Sequence, residues 1–127
     1  MGIPERGQVE ELFFLLSGED SEDGRRAELC RKLCTESLSE VENLVKKTVG
    51  TGELERFSGT LASLAAAKAF HALLLLDEAQ LPQSIASTEV RLEMGERCQK
   101  ARELAEGYRR AASPVLRDES FCFCALR

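Results

Sequence analysis

With 127 residues, 43% of them apolar and 31% charged, the chain is sized for one domain burying about two-thirds of its unfolded surface, which excludes a disordered chain. The net charge of −5 is unevenly placed: residues 1–23 hold one Arg against seven acidic residues, and the remainder carries a net of +1. No basic face emerges, so neither nucleic acid nor an anionic lipid surface is an expected partner.

Leu, Ala, Glu and Arg dominate, and nothing alternates like a strand, so the expected class is all-α. Val9, Leu12, Phe13 and Leu16 recur at helical spacing and predict a short first helix from about Glu5 to Leu16, with Pro4 at its entry. The stretch SGEDSEDG, Ser17 to Gly24, then supplies turn formers and N-caps. A second helix is expected from about Ser21 or Arg25 to Val49. Its stripe is Ala27, Cys30, Cys34, Leu38, Val41, Val45 and Val49, widened by Leu33 and Leu44. Gly50 suits its C-terminal cap.

The third helix is predicted over about Gly52 to Gln80. It starts amphipathic with Leu54, Phe57 and Leu61 and becomes apolar nearly all round in LASLAAAKAFHALLLLDEAQ. A bilayer span needs roughly 20 continuous apolar residues. Leu61 to Leu76 offers sixteen, interrupted by Lys68 and His71, so a core helix is expected and no membrane span. Pro82 opens a fourth helix, through Val90, Met94, Cys98, Ala101, Ala105 and Tyr108 to about Ala112, and Ser113-Pro114 stops it. Short connections favour a small antiparallel bundle of three long helices plus a short N-terminal one, helical-repeat-like in its similar element lengths. The helical domain is placed at 1–113, and 114–127 is read as a C-terminal tail, partly ordered or docked and uncoupled by Pro114.

Catalytic constellations are sparse. His71 is the only histidine, and no nucleophile elbow or phosphate-cradling loop accompanies it. Cys30 and Cys34 sit one turn apart on an apolar stripe, where a reduced thiol behaves as a small hydrophobe. Cys122 and Cys124 are spaced closely enough for a soft metal but lack a second ligand cluster. Cys124-Ala125-Leu126-Arg127 matches the outline of a prenylation signal, against which Arg at the last position and the absence of a preceding basic run both count. Ser17 and Ser21 precede acidic residues that an acid-directed kinase uses. Five cysteines without framework spacing point to a reducing compartment, cytoplasm or nucleus.

The expected function is therefore a non-enzymatic protein–protein interaction module, an adaptor or complex subunit, with no cofactor and no metal. The alternative is a small helical enzyme or thiol/metal-binding protein using His71 or the cysteines. The binding surface is sought among apolar groups that three helices cannot all hide. Leu73, Leu74, Leu75 and Leu76 are consecutive and, at ~100° per residue, face almost every direction. Two segments can cover them: the first helix through Phe13, Phe14 and Leu16, and the tail through Val115, Leu116, Phe121 and Phe123. The partner-binding candidates are accordingly Phe13, Phe14, Leu73, Leu74, Leu76, Phe121 and Phe123. The expected ligand is a partner's amphipathic helix.

Overall fold

A computed structural model describes residues 3–22, 24–80 and 88–117. It contains five α-helices, α1 Arg6–Ser17, α2 Gly24–Leu44, α3 Thr51–Arg56, α4 Ser58–Ala79 and α5 Thr88–Ala111, followed by a 3-10 turn at Ser113–Val115. No strand occurs among the described residues, only an isolated antiparallel bridge between Val45 and Leu116.

The first helix ends where its sequence requires. Gly18 takes φ +73°, which costs a residue without Cβ nothing, and its N–H donates to Phe14 O at 3.1 Å. The turn that follows uses its own side chains: Glu19 N–H donates to Ser17 Oγ at 3.2 Å and Glu22 N–H to Asp20 Oδ1 at 2.9 Å. Arg26 then clips this turn to the far end of α4. Its Nε donates to Glu19 Oε1 at 2.7 Å, and its two terminal nitrogens grip both Asp77 oxygens at 2.8 and 2.7 Å.

The second helix stops five residues before the expected Val49. Val45 leaves it to bridge Leu116. Lys46 N–H donates to Val115 O at 2.9 Å and Arg117 N–H to Leu44 O at 2.8 Å. A partner some seventy residues away thus competes for backbone groups that periodicity assigns to the helix. The predicted third helix is likewise two, broken at Phe57. Ser58 and Gly59 follow the break, and both are weak helix formers of the kind found at kinks. Leu54 and Phe57 pack, partly buried, against the core from this bend.

At the centre lies α4, in contact with α1, α2, α3 and α5. By length and composition it is apolar enough to cross a membrane. In this fold nine of its residues, from Leu61 to Leu74, are buried. Its alanines at 62, 65, 66, 67 and 69 are all buried and let neighbouring helices approach closely. Against them α1 contributes Val9 and Phe13, and α2 contributes Cys30, Leu33, Cys34, Leu38, Val41 and Leu44, the stripe its sequence marks. A smaller cluster joins Leu74 to Cys98 and Ala101 on α5.

Ala112, Val115 and Leu116 complete the main core; Val115 is 0% and Leu116 4% exposed. The expectation that Pro114 uncouples everything beyond it is corrected for these residues. Pro114 ends the helix but sits in a 3-10 turn that feeds two apolar side chains back inward. The rest of the tail, 118–127, lies outside the described residues.

Candidate functional site

Of the leucine run, Leu73 and Leu74 are 1% and 2% exposed, while Leu75 and Leu76 remain 47% and 38% exposed. Phe13 is wholly buried. Phe13, Leu73 and Leu74 are therefore core residues, and their selection as partner contacts is corrected: a side chain already packed on all sides has no surface left to offer. Phe14 is half-buried, edge-on to Phe13 with ring centroids 5.4 Å apart and the Arg31 guanidinium 5.8 Å above its ring. Leu76 keeps surface at the end of α4. Phe121 and Phe123 lie outside the described residues, as do Cys122 and Cys124.

What the fold leaves open is an apolar groove of about 240 Å³ between α1 and α5. Leu12, Leu15 and Leu16 form one wall, Tyr108 stands on the other side, and Ser63 and Ala66 of α4 make the floor. Small floor residues create the depression, because a Leu at either position would fill it. Leu15 is 77% exposed, the most exposed of the large apolar side chains described. Sequence reasoning passed over Leu15 because it lies outside the Val9–Leu12–Phe13–Leu16 stripe. That was also its signal: a leucine away from the buried face of an amphipathic helix is an apolar group without a core to enter.

A different cleft, of about 570 Å³, runs between α4 and α5 and is lined by His71, Leu75, Glu78, Cys98, Arg102 and Glu106, among others. The Cys98 thiol donates to Glu78 Oε2 at 3.3 Å. Burial, with the adjacent Glu78 carboxylate, pushes that thiol's pKa upward, opposite to what a nucleophilic thiolate requires. Burial likewise holds the His71 pKa below its ordinary value, with the Arg102 charge adding to the effect. Both groups are thus neutral near pH 7. No cluster of three metal-binding side chains occurs among the described residues.

Cys30 and Cys34 are fully buried in the main core. Burial pushes the Cys34 thiol up to about 12 from 9.0. A raised folded-state pKa means stability that is fully present below the unfolded value and is lost as pH rises toward the folded one. The parent should therefore lose stability between about pH 9 and pH 12, and Cys34→Ala, weaker at neutral pH, should show a shallower loss. Urea midpoints at about pH 8 and about pH 10.5 read the difference; identical slopes would show that Cys34 is not held as a neutral thiol.

No family model matches the chain, and no curated protein or solved structure matches it either.

Proposed function

We propose that this chain is a non-enzymatic protein–protein interaction module, an adaptor or subunit of a larger complex, that receives an amphipathic helix of a partner protein in the α1–α4–α5 groove. The observation that carries the reading is Leu15, a large apolar side chain almost fully in solvent at the rim of an apolar depression. A helix laid there covers Leu15 and Leu16 and places an apolar side chain over the Ser63–Ala66 floor, the usual helix-in-groove mode. The scaffold is a small antiparallel bundle. In support, Arg26 pairs with Asp77 and Glu40 with Lys68, so positions advancing along α2 meet positions receding along α4. The similar lengths of α2, α4 and α5, 21, 22 and 24 residues, are what favour a repeat-like description. Burial of α4 against its neighbours supports a core helix rather than a membrane span, and three buried free thiols support a reducing compartment, cytoplasm or nucleus.

Replacing Leu15 by Glu tests the groove. The side chain is exposed, so the circular dichroism spectrum and melting temperature should stay within error of the parent. A protein retained stoichiometrically by the parent should be lost by the variant, because a carboxylate at the rim must be desolvated on docking. Equal retention by both would place the binding surface elsewhere. Loss of self-association instead, read by sedimentation, would make the groove a contact between copies of this chain.

The second reading, a thiol-dependent enzyme or metal-binding protein, draws on the meeting of His71, Glu78 and Cys98 in one cleft. It requires Cys98 to ionise readily. The interaction-module reading expects Cys98 to alkylate with iodoacetamide more slowly than free cysteine at neutral pH, given its burial and its carboxylate neighbour. Faster labelling would favour the enzyme.

A further inference from the structure

Averaged over the chain, charge is acidic, but one place reverses the sign. A cleft of about 590 Å³ opens where the last turn of α5, the 3-10 turn and the segment after α2 meet, lined by Lys46, Glu106, Arg109, Arg110, Leu116 and Arg117, among others. Among the described residues, four cations thus line this cleft against one carboxylate, in a protein whose net charge is −5. That carboxylate, Glu106, sits 3.2 Å from Nε of Arg102 and is already balanced by a cation outside the lining. We propose that this cleft is a binding site for a small, multiply charged oxyanion, a phosphorylated compound or headgroup bearing more than one negative charge.

The backbone holds the cations in place. Lys46 and Arg117 flank the Val45–Leu116 bridge, and each donates its own N–H across it, to Val115 O and Leu44 O. Their side chains keep donors in reserve. Lys46 Nζ donates to Pro114 O at 3.3 Å, leaving two of the ammonium's three hydrogens. One Arg117 terminal nitrogen donates to Asn43 O, leaving most of the five guanidinium N–H groups. Arg110 is exposed and has no hydrogen bond or ion pair among the described residues. Cations in a last helical turn also complement the helix dipole, and Arg109 and Arg110 do so. That role does not explain why Lys46 and Arg117, from two other segments, converge on the same space.

Planar guanidinium forks match phosphoryl oxygens, and the volume lies in the range of small-ligand sites rather than of a nucleic-acid groove.

Calorimetric titration of the full chain with sodium tripolyphosphate at about 50 mM salt is the test. The expected result is one site per chain, weakened at least about fivefold by Arg110→Gln and by Lys46→Gln, and unchanged by Lys100→Gln elsewhere on α5. Circular dichroism confirms that each variant is folded. Co-sedimentation with phosphatidylcholine vesicles carrying a tenth phosphatidylinositol 4-phosphate separates the sources. Pelleting lost in the same two variants identifies a lipid headgroup; tripolyphosphate binding without pelleting identifies a soluble compound. No binding to either probe overturns the proposal, as does binding that the two variants leave intact or that Lys100→Gln weakens equally.

Discussion

Replacing Leu73 or Leu64 by Ala is expected to lower stability by about 2–5 kcal/mol, among the largest single-residue effects in this protein. Each side chain is 1% exposed on the helix that contacts all four others, so the truncation leaves a void with neighbours on every side. Collapse around it is restricted, because α4 is tied at Asp77 to Arg26 and at Lys68 to Glu40. Urea midpoints measure the loss. If both variants unfold like the parent, α4 is not the core and the described packing fails.

Cutting the chain after Ser113 should be about as damaging. It removes Val115 and Leu116 from the main core, together with the two backbone hydrogen bonds that tie this segment to the end of α2. One buried Leu deletion alone costs ~2–5 kcal/mol, so the total is on the order of 3–6 kcal/mol and threatens the marginal stability of a domain this size. The proper comparison is a chain cut after Arg117, which retains every described residue of the turn and bridge. A melting temperature well below that reference is expected for the shorter chain. Equal melting would return Pro114 to the role of uncoupling point that the sequence suggests for it.

The first helix and the buried stripe of α2 were legible because each has one apolar face, and periodicity reports a face directly. In α4 the signal fails. A helix apolar all round says that it is central but not which of four successive leucines points inward; the fold turns Leu73 and Leu74 in and leaves Leu75 and Leu76 exposed. The early end of α2 and the docking of Leu116 are one event, a bridge between segments about seventy residues apart, and no local pattern encodes it. The break at Phe57 had a local cue in Ser58-Gly59, outweighed by the apolar periodicity running through it.

The groove is the least legible feature, since its floor is defined by what is missing. Ser63 and Ala66 are small residues with nothing to mark them in the sequence until α1 and α5 are placed on either side. The basic cleft was hidden for a related reason. Lys46, Arg110 and Arg117 are scattered in sequence, and a charge count over the whole chain averages them against the acidic N-terminal segment.

Occupancy of the groove beside Leu15 by a partner's helix is what the proposed function requires. A photocrosslinking amino acid placed at position 15, with a second chain carrying it at the exposed position 36 of α2, asks this directly in cells. The expected result is one discrete heterologous adduct from position 15 and none from position 36, with crosslinked peptides from an amphipathic helical segment of the captured protein. Equal, diffuse crosslinking from both positions, or adducts only between copies of this chain, would contradict it.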